Sequence, residues 1–173
     1  MRQTTERAFE SHVETLLQRG GWHSGTNAEW DVGRALFPAR IYAFLEQTQP
    51  TLWAQMRSLH VGGLEALIIT ALGKELDLKG SLHVLRHGFK FYGKTFRLGY
   101  FKPAHELNDE VLALYAQNQL TVTRQVLCHP GKHDTLDLVF AVNGLPVATC
   151  ELKNPGTTNH GPIAQARCSS PNR

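Results

Sequence analysis

Apolar positions repeat with two different periods along this chain, and the change of period divides it. From about Thr5 to Arg19, the residues Phe9, Val13, Leu16 and Leu17 fall at i, i+4, i+7 and i+8, which is one face of a helix. Gly20-Gly21 stops it. Asp31 is suited to cap a second helical region, which Pro38 breaks before Ile41, Phe44 and Leu45 resume the pattern and Pro50 ends the segment. Leu52 to Leu59 and Leu64 to Leu78 read as two further helices separated by Gly62-Gly63.

Between Ser81 and Phe101 the period becomes two. Leu82 and Val84, then Phe89 and Phe91, then Phe96, Leu98 and Tyr100 alternate with polar or small residues, which predicts strands with a turn at Tyr92-Gly93-Lys94. Asn108 is placed to cap a helix bearing Val111, Leu112 and Tyr115, after which Leu120 to Leu127 alternates as a strand. Two more strands flank Asn143-Gly144, a strong short hairpin signal. A last helix is expected from about Ile163, within a tail crowded with Gly, Pro, Ser, Thr and Asn that otherwise reads as loop or frayed end. Helices lead and strands follow, so the fold class is α/β (α+β) with part of the sheet antiparallel.

Composition narrows the class without naming a function. At 173 residues, 42% hydrophobic and 19% charged, the chain is sized for one domain whose core needs no staple. A formal charge of +3 permits nucleic-acid binding but does not argue for it. Cys128, Cys150 and Cys168 show no C-x-x-C spacing, which favours a reducing compartment over a disulfide framework or a cysteine zinc site. The acids in MRQTTERAFESHVETLL exclude a signal-peptide core and no apolar run is long enough for a membrane span, so a cytoplasmic location is expected.

The candidate chemistry lies in Leu136 to Lys153, LDLVFAVNGLPVATCELK. In a strand, Glu151 and Lys153 share one face while Cys150 and Leu152 take the other. Whether Asp137 joins them depends on register. A two-residue Asn143-Gly144 turn pairs Val142 with Leu145 and sets Asp137 opposite Cys150. A three-residue loop or one bulge moves the register by one and sets Asp137 across from Glu151. Two opposed carboxylates suit a hard divalent cation such as Mg2+, and a lysine beside it suits phosphodiester hydrolysis. The competing account is two solvated strand ends with a cross-strand salt bridge to Lys153. Against it, VFAV and LPVATC are apolar enough to bury both faces, and charges at the rim of buried strands require partners.

The stretch LDLVFAVNGLPVATCELKNP resembles, nearly residue for residue, the nuclease motif at the start of the R (restriction) subunit of type I restriction enzymes. The likeness extends through TERAFESHVETLLQRGGW, FLEQTQPTLW, VLRHG and NQLTVTRQV, most of the chain. It implies a restriction-endonuclease-like, P-D...(D/E)-x-K fold: a mixed sheet flanked by helices, with a helical segment inserted after the first helix. It implies Asp137 and Glu151 as Mg2+ ligands, the Leu152 carbonyl as a third oxygen, and Lys153 as the residue that positions or activates water. Glu10 matches the family's first-helix glutamate, and Gln165 the glutamine of a following helix. Implied partners are double-stranded DNA and the methyltransferase and specificity subunits, with no membrane. ATP would be used only through motor domains of a longer parent, since no G-x-x-x-x-G-K-[ST] loop occurs here.

Three departures qualify the resemblance. The family's P-D is L-D here, Ala166 rather than tyrosine follows Gln165, and CSSPNR ends the chain. The reading is therefore a nuclease domain over residues 1–160 followed by a truncated or degenerate tail over 161–173. The alternative is an inactive remnant acting only in DNA binding or subunit assembly. Glu10 also admits a plainer account, as one of the surface series Glu6, Glu10 and Glu14. In RHGFKFYGKTFRLGYFK the aromatics are expected to form a core face and the cations a solvated face able to guide DNA. His129 and His133 flank Pro130-Gly131, which disfavours a zinc site.

Overall fold

The computed structural model describes residues 2–104, 108–131, 133–152 and 167–169. Helix α1 (Arg2–Arg19) is followed by the short strand β1 (His23–Ser24) and a 3-10 turn at Asn27–Glu29. Then come α2 (Pro38–Thr48), α3 (Pro50–Leu59) and α4 (Leu64–His87), the hairpin β2 (Phe89–Phe91) and β3 (Lys94–Phe96), and α5 (Asp109–Ala116). Strands β4 (Leu120–Leu127), β5 (Thr135–Val142), β6 (Leu145–Glu151) and β7 (Arg167–Ser169) complete the order. The main sheet runs β1-β4-β5-β6-β7, with β1 parallel to β4 and the other neighbours antiparallel. This is the mixed sheet flanked by helices, with helices inserted after the first one, that the resemblance implied.

The sheet is covered on both faces. On one, Val13, Leu17 and Trp22 pack against Val122, Leu138, Cys150 and Leu152. On the other, Phe37 and Trp30 cover Val126, Val139 and Ala141. Beyond that lies the largest core, where α2, α3 and α4 bury Ile41, Leu45, Trp53, Ile68 and Leu72 with Phe89, Phe91 and Phe96 of the hairpin and Leu145 of β6. The hairpin phenylalanines are thus core, and Lys90, Lys94 and Arg97 are exposed, as the alternation predicts.

Several local expectations are corrected. Pro38, expected to break a helical region, instead opens α2 at its first helical position, where the missing N–H costs nothing; Pro50 follows the end of α2 at Thr48, as expected, and opens α3 in the same way. Asp31 caps no helix; it bridges to Leu36 and holds Arg34 in a turn. Ser81 to Val84 is helical rather than strand, in the last part of α4 after a break at Gly80 (φ 77°, ψ 167°). Four residues were too few to separate period two from period 3.6, and Val84 reaches the α4 core by helical geometry. The strand expected to run on to Tyr100 ends at Phe96. At the C-terminus, Arg167–Ser169 pairs with β6 instead of continuing a helix or fraying; the expected start of that helix near Ile163 lies outside the described residues.

Candidate active site

The β5–β6 hairpin settles the register that the sequence left open. Val142 pairs with Leu145 across a two-residue Asn143-Gly144 turn, and Ala141 pairs with Pro146. The pairing then slips by one residue: Phe140 opposes Ala148, Val139 opposes Thr149 and Leu138 opposes Cys150. Carried one step further, Asp137 stands across from Glu151. The turn is the simple one, and a bulge at Val147 undoes its register. The sequence signal for that bulge was Pro146. Proline has no N–H for the ladder and is tolerated inside a sheet at bulges or edges.

Asp137 is held from two sides. Its Oδ2 accepts from the Leu152 main-chain N–H at 2.6 Å, and its Oδ1 accepts from Gln125 Nε2 at 3.3 Å. The same Gln125 nitrogen donates to Glu10 Oε1 at 2.9 Å, and Gln125 Oε1 accepts from Thr135 Oγ1 at 2.9 Å. Glu10 is only 4% exposed, so it is not one of a row of surface glutamates. The face that α1 turns to the sheet carries Glu10, Val13 and Leu17; Phe9 and Leu16 of the expected apolar stripe are 44% and 50% exposed. One turn along, Arg124 pairs with Glu14 at 3.3 Å and donates to Ser11 Oγ at 2.8 Å, fastening α1 to β4 beside the site.

Gln125 was missed in the sequence, and its backbone explains how it reaches the site. It has φ 50° inside strand β4, whereas Tyr92 and Asn143, also at positive φ, sit in hairpin turns. The strict alternation of side chains fails there. Val122 and Arg124 face α1, but Val126 lies with Phe37 on the other face, so Gln125 also turns towards α1. On β5 the partner positions shift alike: Leu138 faces α1, Leu136 faces Trp30, and Asp137 between them bonds to the Gln125 amide.

Glu151 ends β6, exposed to solvent, between Cys150 and Leu152 that pack towards α1. Its charge is felt on the other face, where burial first, and then the carboxylates of Asp134 and Glu151, push the Cys128 thiol above its ordinary value. Among the described residues no three His, Cys, Asp or Glu side chains converge on a common metal position, so Glu10, Asp137 and Glu151 form no three-carboxylate cage. What remains is Asp137 beside Glu10 on the α1 side, Glu151 across from Asp137 in register but turned to the other face, and the main chain at Leu152. That donor set is hard oxygen throughout, and Mg2+ commonly takes one or two carboxylates and keeps several waters. The residues present therefore fit a magnesium-type cation. Lys153 and Gln165 lie outside the described residues.

The cations of the β2–β3 hairpin do not adjoin this site. The Leu98 carbonyl just past β3 accepts from Asn143 Nδ2 at 2.8 Å, which ties that region to the turn end of β5–β6. Asp137 is six residues from Asn143, at the other end, roughly 20 Å along an extended strand. A family model described as type I restriction enzyme R protein N terminus matches residues 3–169. No curated protein and no solved structure matches the chain.

Proposed function

The chain belongs to the family of type I restriction enzyme R protein N-termini, and on that premise we propose that it is a Mg2+-dependent nuclease module hydrolysing phosphodiester bonds of double-stranded DNA. The observation that carries the reading is the bulge at Val147, which opposes Asp137 to Glu151 where the turn alone would not. Asp137 and Glu151 would hold the cation, with the Leu152 carbonyl as a further oxygen. Bound there, Mg2+ supplies positive charge to the phosphate as negative charge builds on it. The protein's own part is placement. Gln125 and the Leu152 N–H fix both oxygens of Asp137, and Glu10 is drawn to the same amide. Lys153, two residues past Glu151 and sharing its face in an extended chain, would orient the attacking water.

Recognition of a DNA sequence is assigned to partner methyltransferase and specificity subunits in the cytoplasm, and ATP-driven movement to motor domains of a longer parent. DNA contacts of this module are then mainly to phosphate and fall off steeply with salt. No described helix is long and apolar enough to cross a membrane. The test is plasmid nicking in Mg2+, compared with EDTA and with Asp137→Ala and Lys153→Ala. Loss in all three comparisons is expected; cleavage that survives both substitutions would refute the site.

One observation favours a second reading, an inactive assembly or DNA-binding module. Strand β7 lies along Thr149 to Glu151, with Arg167 paired to Glu151, where the resemblance calls for a helix. On that reading the chain binds DNA and never nicks it.

A further inference from the structure

Gln125 combines three features that a residue merely filling a strand does not need. Left-handed backbone is disfavoured at a residue other than glycine, and here it is held within a strand rather than a turn. Its amide nitrogen is shared between two carboxylates, one of them Glu10, which is almost wholly buried. Its amide oxygen accepts from Thr135, and only the –NH2 end can donate to two acceptors, so the orientation of the group is set by its neighbours. Attachment of α1 to the sheet does not depend on it. Val13 and Leu17 pack below, and the Arg124 bonds to Glu14 and Ser11 lie alongside.

We propose that Gln125 is a positioning residue of the metal site, resting on the nuclease reading above: its amide clamps Asp137 to Glu10 so that Asp137 is already aimed when a divalent cation arrives. Two carboxylates converging on one point repel, and without a donor between them Asp137 would swing away. Gln125 supplies that donor with no charge of its own, so it steadies the pair without competing for the cation's place as a lysine would. Each Asp137 oxygen gives one lone pair to a fixed N–H and keeps another for the metal. Partners of this kind around metal ligands typically change affinity by about 10- to 100-fold.

The test uses the full chain and Mn2+ alone as an oxygen-preferring probe for Mg2+, with free Mn2+ read by electron paramagnetic resonance and no DNA present. Asp137→Asn is the control for the site itself and should abolish tight binding. Gln125→Leu keeps the strained backbone and loses the amide; Gln125→Gly loses the amide while relieving the strain. Both should raise the Mn2+ dissociation constant about 10- to 100-fold. Gln125→Gly should do so with a melting temperature no lower than the parent's, and it decides the matter if Gln125→Leu does not fold. Binding by Gln125→Gly within about twofold of the parent, while Asp137→Asn binds nothing, would overturn the role of Gln125 alone. Parent-like binding by Asp137→Asn would overturn the metal-site reading and this proposal with it.

Discussion

Asp137 accepts a hydrogen bond from the main-chain N–H of Leu152 across the gap where β5 and β6 run out of ladder partners. One carboxylate thus closes the β5–β6 ladder and marks the place where those two strands part. The bond couples the start of one strand to the backbone between Glu151 and Lys153.

That coupling predicts a local signature for Asp137→Ala beyond lost nicking. The Leu152 amide loses its acceptor, and its hydrogen-exchange protection should fall to that of an exposed chain end. A bond to a charged acceptor contributes roughly 1.5–3 kcal/mol where buried, and less at this half-buried site. Amides of Val139 and Ala141, further into the sheet, should keep their protection.

The bulge predicts a strong insertion effect. Removing Val147 takes out only the extra residue and keeps Leu138 opposite Cys150, whereas one alanine added between Ala148 and Thr149 moves Cys150 and Leu152 off the α1 face and drives Glu151 into it. Losing that apolar burial and placing a carboxylate there should destabilise the protein by about 3 kcal/mol or more, measured by urea unfolding. Pro146→Ala keeps the residue count and should leave register and metal binding in place.

Gly144 is irreplaceable at the other end of the hairpin. Its φ is 87°, and a Cβ there would stand 2.7 Å from the Phe37 carbonyl oxygen and 2.9 Å from the Ile41 nitrogen, main-chain atoms that have nowhere to go. Gly144→Ala should cost about 2–4 kcal/mol, roughly 4–16 °C in Tm. Mn2+ affinity of the fraction that remains folded should be unaltered, because the proposed metal site is at the far end.

Cys128 offers a pH test of where Glu151 stands. Burial, then Asp134 and Glu151, hold the thiol protonated beyond its ordinary range. Alkylation of Cys128 by iodoacetamide, followed by mass spectrometry, should therefore have its midpoint at higher pH in the folded chain than in denaturant. Glu151→Gln should bring that midpoint part of the way down. The sign for stability follows: below the unfolded thiol's value the contribution is fully present, and it is lost as pH rises above that value, because only the unfolded chain releases the proton.

Local signals in the sequence settled which elements exist and which residues carry charge. The first helix from about Thr5 to Arg19, the Asn108 cap, strand β4 and the Asn143-Gly144 turn were all legible, because capping, periodicity and turn chemistry act over a few residues. The family motif placed Asp137, Glu151 and Lys153 in one stretch, and Glu10 in the first helix. Four residues at Ser81 to Val84 were too short for their period to be decisive, and the packing of α4 made them helical.

Tertiary structure decided what the acids face. Glu10 is buried because α1 lies on the sheet with Val13 and Leu17 inward, an arrangement that its own helical stripe, shared with Phe9 and Leu16, does not select. Gln125 enters the site through a left-handed backbone that nothing in a glutamine's side chain foretells. Asp137 falls across from Glu151 in register because a bulge shifts one strand against another, and register belongs to a pair of strands rather than to either sequence alone. Spacing along the chain brings residues to the right strands; only pairing and packing bring them to the same point.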